Sequence, residues 1–310
     1  MKITYSIIAP IYNEIDNLPE LYHRVKEVMD SSGEPWEFIL VDDGSMDGST
    51  DKIRELAQKD KIVRPVIFAR NFGHQVAITA GWDYARGDAI VIIDADLQDP
   101  PETILELAKK WKEGYEVVYA VRGEREGESW FKKFTAAMFY RLIYSITDVK
   151  IPVDTGDFRL MDRKVVDVLK QMKERHRFPR GMSAWVGFKQ IGVTYKRAAR
   201  VAGVTKYPFR KMLKLALNAI TGFSYFPLQV ATYFGFISAG VAILAIPVVI
   251  FMRMAGSGAF FGQATTLIAV LFLGGVQLIS LGILGEYIGR LYDEAKGRPL
   301  YIVRDAPVDE

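Results

Sequence analysis

Asp94-Ala95-Asp96-Leu97-Gln98 sets two carboxylates around one small residue, with a carboxamide two positions further on. Oxygen ligands in that spacing suit a hard divalent cation such as Mg2+ or Mn2+. The preceding run, Ala89–Ile93, is apolar throughout and reads as a buried strand, so the acids stand where that strand stops. In open α/β sheets, ligands collect beyond the carboxyl ends of the strands. A solvated acidic turn capping the helix after Asp99-Pro100-Pro101-Glu102 would explain the pair taken alone. Two further polar clusters argue against that reading. Pro10-Ile11-Tyr12-Asn13-Glu14 closes the apolar run Tyr5–Ile11, and Asp42-Asp43-Gly44-Ser45 closes Phe38–Val41. Three clusters at one sheet edge make a site. Tyr12 can lie against a nucleobase, and Asp42 or Asp43 can accept hydrogen bonds from a base N–H or from ribose hydroxyls.

The elements that must carry these groups alternate. Between the strands already named, helical spacing covers Leu18–Met29, Thr50–Gln58, Val76–Tyr84 and Glu102–Trp111, and further strands are expected at Val63–Phe68 and Val117–Val121. Strands separated by helices of this length imply an α/β fold with a mostly parallel sheet. No GxGxxG follows the first strand and no GxxxxGK[ST] is present, so dinucleotide and P-loop readings are weak. The absence of cysteine excludes disulfides and thiolate metal sites, and fits a reducing compartment. His23, His74 and His176 show no metal-binding spacing and suggest no ligand role. A net charge of only +3 excludes polyelectrolyte binding by the chain as a whole, so no nucleic-acid partner is expected.

The apolar residues are unevenly spread. No charged side chain occurs from Leu215 to Met252, or again from Met254 to Gly285. Each stretch exceeds the ~20 residues needed to cross a bilayer core. The polar start, Met1–Ser6, does not resemble an export signal. Two spans are expected, near Leu228–Phe251 and Thr265–Ile288. Lys206, Arg210, Lys211 and Lys214 precede the first and Arg290, Lys296 and Arg298 follow the second, with only Arg253 between them. That asymmetry predicts a multi-pass hairpin with both ends cytoplasmic. Ser129–Ser145 and Pro208–Phe226 mix basic and apolar residues, as juxtamembrane amphipathic helices do. The first has an equal account as an ordinary helix on the sheet. Glycines at 274, 275, 282, 285 and 289 offer small faces for helix contact, including contact between subunits of a homo-oligomer. The expected organisation is a catalytic domain over 1–207, a juxtamembrane segment over 208–227, two membrane helices over 228–289 and a cytoplasmic tail over 290–310.

Pro10–Glu14, Val41–Ser45, Arg70-Asn71-Phe72-Gly73 and Asp94–Glu102 together resemble glycosyltransferase family 2. More narrowly, the chain is similar to the polyprenyl-phosphate glycosyltransferases of the GtrB and dolichyl-phosphate mannosyltransferase types, over almost its whole length. The resemblance implies a GT-A (Rossmann-like) fold, a nucleotide-sugar donor, a polyprenyl phosphate acceptor and a catalytic divalent cation at an inner (plasma) membrane. It implies donor contacts at Pro10, Tyr12, Glu14, Asp42, Asp43 and Asp94. Asp94, Asp96 and Gln98 become metal ligands, with Asp96 also in the catalytic set. Arg122 falls near the donor diphosphate, Arg200 and Lys206 at the acceptor phosphate, and Asp157 at the acid–base position. Val204-Thr205-Lys206 departs from the Ser-Lys pair common at that place.

Physical chemistry leaves several points open. A lipid phosphate, with a second pKa near ~6, is already nucleophilic at neutral pH and has little need of a base. Asp157 is therefore expected chiefly to position the acceptor or its metal contact, with base work secondary and a turn acid paired to Arg159 as the plain alternative. For Arg200 and Lys206 the plain alternative is a role as membrane-surface charges. Gly123–Glu128, with Arg125, reads as a loop over the donor or as a surface loop. Inverting transfer of glucose from UDP-glucose to undecaprenyl phosphate is the favoured activity, and GDP-mannose is the alternative donor. A processive synthase would carry a Gln-x-x-Arg-Trp motif, which is absent. A non-catalytic membrane scaffold would not need the acids.

Overall fold

In a computed structural model, the described residues are 2–123, 152, 155–196, 221–222, 224–255 and 263–307. Those before 197 form β1 (Tyr5–Ile11), α1 (Leu18–Ser31), β2 (Trp36–Asp42), α2 (Ser49–Lys59), β3 (Val63–Phe68), α3 (His74–Tyr84), β4 (Ala89–Ile92), α4 (Thr103–Lys112), β5 (Val117–Arg122), β6 (Thr155–Asp162), α5 (Arg163–Gln171), α6 (Pro179–Trp185) and β7 (Gln190–Tyr195). Later come α7 (Phe226–Met254), α8 (Gln263–Ala295) and β8 (Val303–Asp305).

The eight strands form one sheet in the order β7-β5-β6-β4-β1-β2-β3-β8. β4, β1, β2 and β3 run parallel, and β5 and β7 are parallel to each other. Only β6 and β8 oppose their neighbours. The mostly parallel α/β sheet expected from the alternation is therefore present. Its central strands read as unbroken apolar runs because both faces are covered. All seven residues of β1 are buried, and so are all seven of β2. Full burial of each large aliphatic or aromatic side chain here contributes about 1.5–3 kcal/mol. α3 lies close on this layer: a Cβ at Gly81 would fall 2.3 Å from a methyl of Ile8, so only glycine fits there.

The polarity of β6 has a functional consequence. It pairs with β4 in antiparallel register, Ile92 opposite Arg159. Its beginning, around Asp157, therefore lies at the edge where β1, β2, β4 and β5 end.

A second compact unit contains α7 and α8. Both are long and apolar enough to cross a membrane, over Phe226–Met252 and Ile268–Ala295. Within it, the Tyr287 hydroxyl donates to the carbonyl of Ser224 at 2.7 Å. The described residues from Arg298 onward belong instead with the sheet unit. There, part of the segment read from sequence as a tail supplies edge strand β8. The expected amphipathic helices at Ser129–Ser145 and, up to residue 220, at Pro208–Phe226 lie outside the described residues, as do Arg125, Arg200 and Lys206.

Candidate active site

Local hydrogen bonding builds the edge first. Asn13 adopts φ +53°, a left-handed conformation uncommon for a residue with a side chain. That turn points consecutive N–H groups at the loop after β2. Asn13 N donates to Ser45 Oγ at 3.0 Å, Glu14 N to Ser49 Oγ at 3.1 Å and Ile15 N to Asp47 Oδ2 at 3.1 Å. Tyr12 stands half-exposed at the head of this stitch. Pro10 is buried in β1 opposite Val41. The Glu14 carboxylate accepts from Asn17 Nδ2 at 2.7 Å, at the start of α1.

Asp42 and Asp43 are both buried and do different work. Asp42 accepts from Ser45 N at 2.9 Å and from the Thr50 hydroxyl, which fixes its own loop to α2. Asp43 reaches across to the loop between β3 and α3. It accepts from Phe72 N at 2.6 Å and from Gly73 N at 3.0 and 3.1 Å. Burial pushes its carboxyl up, and these N–H groups oppose the rise without cancelling it. Gly44, at φ +71°, lets the two loops touch, since a Cβ there would lie 2.5 Å from the Arg70 carbonyl carbon.

Asp94 and Asp157 come together at the centre. His74 begins α3 and points its Nε2 at both, 3.2 Å from Asp157 Oδ2 and 3.5 Å from Asp94 Oδ1. Arg180, near the start of α6, grips Asp157 with Nε to Oδ1 at 2.8 Å and Nη2 to Oδ2 at 3.1 Å. Burial would raise the Asp157 carboxyl, but Arg180 and the His74 hydrogen bond hold it well below the usual carboxylate range. Burial disfavours the charged form of His74 as well, and so opposes its protonation. The hydrogen bond to Asp157 and the charges of Asp94 and Asp157 outweigh it and push His74 up to about 9. Asp94 is raised to about 6 by burial and by the charges of Asp157, Asp99 and Asp96, against the pull of His74.

The alternative pairing of Asp157 with Arg159 is not what forms. Asp157 lies in β6 rather than in a turn, and Arg159 turns to the Gly156 carbonyl at 2.9 Å and to the Ser183 hydroxyl. His74, given no ligand role from its spacing, sits at the centre of the cluster. The only local sign of it was its place just after Arg70-Asn71-Phe72-Gly73.

Other expected groups among the described residues lie on the turn after Asp94 and at the end of β5. Leu97 takes φ +57°, and the Asp96 carboxylate accepts from Gln98 N at 3.1 Å, which shapes the acidic turn. The Gln98 side chain is half-buried. Arg122 ends β5 with its Nη2 packed over Gly156, 3.0 Å from where a Cβ would stand. Beside it, the Tyr195 hydroxyl donates to buried Asp99. Burial and the Asp99 charge push the Tyr195 phenol up, while Arg122 pulls it down.

Among the described residues, one set of His and acidic side chains has ligand atoms all within 4.8 Å of one another: His74, Asp94 and Asp157. Asp94 Oδ1 is buried without a hydrogen bond. A buried carboxylate oxygen is costly unless something cationic faces it, and His74 Nε2 does so at 3.5 Å. The two carboxylates supply the oxygen donors that Mg2+ and Mn2+ prefer, while His74 would ligate only after losing its proton.

Residues 6–169 match the profile of glycosyl transferase family 2. The chain is 55% identical over 302 residues to the uncharacterized glycosyltransferase YkcC of Bacillus subtilis (strain 168), covering 97% of this chain and 94% of that one. It is 44% identical over 304 residues to a prophage bactoprenol glucosyl transferase homolog of Escherichia coli (strain K12), covering 98% and 99%. Among solved structures, a Pyrobaculum calidifontis mannosyltransferase in complex with GDP-Man and Mn2+ aligns at a TM-score of 0.46 and 18% identity, over 91% of this chain and 88% of that one. A sheet of this order, its acids at the carboxyl edge and a profile match across more than half the chain make the protein a member of glycosyltransferase family 2, with the GT-A-like fold.

Proposed function

We propose that the protein transfers glucose from UDP-glucose to a polyprenyl phosphate, undecaprenyl phosphate, with inversion, at the cytoplasmic face of the cell membrane. The observation that carries this reading is the Asp94–His74–Asp157–Arg180 cluster at the sheet edge, in which half-buried Asp94, His74 and Arg180 close on buried Asp157. It lies in a chain matched end to end by a protein described as a bactoprenol glucosyl transferase homolog. Pro10, Tyr12, Glu14, Asp42 and Asp43 form the nucleoside side of the donor site. Tyr12 is the exposed aromatic, while Asp42 and Asp43 act by holding the loops in shape. Asp94, Asp96 and Gln98 hold a divalent cation, Mg2+ or Mn2+, which when bound neutralises charge on the donor diphosphate.

Arg122 faces the same diphosphate and favours its departure. Arg200 and Lys206 receive the acceptor phosphate. One phosphate oxygen attacks the anomeric carbon while the bond from that carbon to the diphosphate oxygen breaks, so UDP leaves and the configuration inverts. At neutral pH the acceptor is largely dianionic, so no proton need be removed. Arg180 and the His74 hydrogen bond hold Asp157 well below the usual carboxylate range, which disfavours a base role. Asp157 orients His74 and Arg180 around the reacting groups instead.

α7 and α8 anchor the enzyme as a multi-pass membrane protein with both ends cytoplasmic, as the basic residues flanking them favour. Self-association through the glycine faces of α8 belongs to the same reading. The test is a panel of radiolabelled nucleotide sugars with undecaprenyl phosphate, with and without chelator. Chelator-sensitive formation of lipid-linked glucose is expected. Transfer from GDP-mannose in preference would replace the donor, and transfer indifferent to chelator would remove the cation.

A further inference from the structure

The residues after α8 reach back to the active-site loop. β8 pairs antiparallel with β3, Phe68 opposite Val303 and Ile67 opposite Asp305. The contact continues one residue past β3, where Ala69 N donates to the Ile302 carbonyl at 2.9 Å and Arg304 Nη2 donates to the Ala69 carbonyl at 3.1 Å. The Tyr301 ring stacks on Phe68 with centroids 5.1 Å apart, and Phe68 meets Phe72 edge-on at 5.6 Å. Phe72 and Gly73 are the two residues whose N–H groups Asp43 holds. His74 follows directly. The Tyr301 hydroxyl also donates to Asp83 Oδ2 at 2.7 Å, near the far end of α3.

We infer that Tyr301 and the strand after it are positioning elements of the active site. They grip α3 at both ends: through Phe68, Ala69 and Phe72 before it and through Asp83 near its close. α3 delivers His74 to Asp94 and Asp157, so its register sets the geometry of the acidic pair. Among the described residues, the loop from Ala69 to Gly73 is otherwise held by Asp43, by Gly44 packed on Arg70 and Asn71, and by contacts within itself. A displacement of about 1 Å at a reacting group can cost roughly 10²-fold in rate. The inference rests on the function proposed above only for its kinetic arm.

The test uses the full-length enzyme and the variants Tyr301→Ala, Tyr301→Phe and Arg304→Ala. Hydrogen exchange is followed across residues 69–75, and transfer kinetics are measured at a temperature where each variant is folded. With Tyr301→Ala, amides at Phe72 and Gly73 are expected to exchange about tenfold faster. Turnover at saturating substrates is expected to fall about tenfold. Tyr301→Phe keeps the stacking but loses the Asp83 hydrogen bond, and is expected to fall between wild type and Tyr301→Ala in turnover. Arg304→Ala removes one exposed contact and is expected to lower turnover about twofold, so the inference stands open to test even if Tyr301→Ala does not fold. A lower melting temperature with unchanged turnover and unchanged protection at 72–73 would make β8 a mere strut and overturn the inference. If wild-type enzyme transfers no sugar, the proposed function fails while the exchange arm still decides the positioning role.

Discussion

Arg180 closes on Asp157 through two parallel hydrogen bonds, 2.8 and 3.1 Å, onto a carboxylate that is 3% exposed. A forked pair of this kind fixes direction as well as charge. Truncating Arg180 leaves the buried acid with His74 at 3.2 Å and a longer contact from Gln75 Nε2 at 3.5 Å. Arg180→Ala is expected to destabilise the sheet unit by about 3 kcal/mol, the low end for breaking a buried pair, because the His74 hydrogen bond survives. Denaturant unfolding in detergent measures it, and a change below ~1 kcal/mol would show that the pair is not buried in solution.

Asp157→Asn keeps the shape and removes the charge. Activity is expected to fall at least ~10²-fold at neutral pH through loss of orientation. Because Arg180 and His74 hold the wild-type carboxyl well below its ordinary value, its charge persists across the neutral range. Its stabilising contribution is therefore full above the unfolded carboxylate pKa and is lost as pH falls through the lower folded value. A wild-type rate profile with an inflection near pH 4 that vanishes in Asp157→Asn would instead reveal an ordinary titrating base.

Cation binding should depend on pH through Asp94. Its carboxyl is raised to about 6, so below that pH a proton competes with the cation. Calorimetric titration with Mn2+ is expected to give about tenfold weaker binding at pH 5 than at pH 7.5. Equal affinities would exclude Asp94 as a ligand.

In chelated protein, His74 makes the opposite contribution to stability. Its value rises from 6.5 to about 9 on folding. A group raised in this way stabilises fully below its unfolded pKa and ceases to do so as pH climbs through the folded one. Thermal stability is expected to decline between about pH 6.5 and 9, and His74→Gln to flatten that decline. An unchanged slope in the variant would place the titration elsewhere.

Gly44→Ala tests the contact between the loops after β2 and β3. The new methyl would press on the backbone of Arg70 and Asn71 at 2.5–2.6 Å, in a conformation with φ +71°. A loss of about 2 kcal/mol or more is expected, with weakened nucleotide binding. Calorimetry with UDP and a melting curve check both.

Strands and apolar helices were legible because their signals are local. Tyr5–Ile11 and Ala89–Ile93 announce buried strands by unbroken apolar runs, and α7 and α8 announce themselves by length without charge. The acids at strand ends followed from that register, since a strand's end fixes where its last side chains stand. Pairing across the chain was not legible. His74 meets Asp157 across 83 positions, and Tyr301 meets Asp83 across 218. No spacing rule spans such separations. The antiparallel entry of β6 brings Asp157 to Asp94, and the burial it imposes requires the Arg180 charge. β8 is three residues long, too short to show a period, and exists only because β3 offers it an open edge.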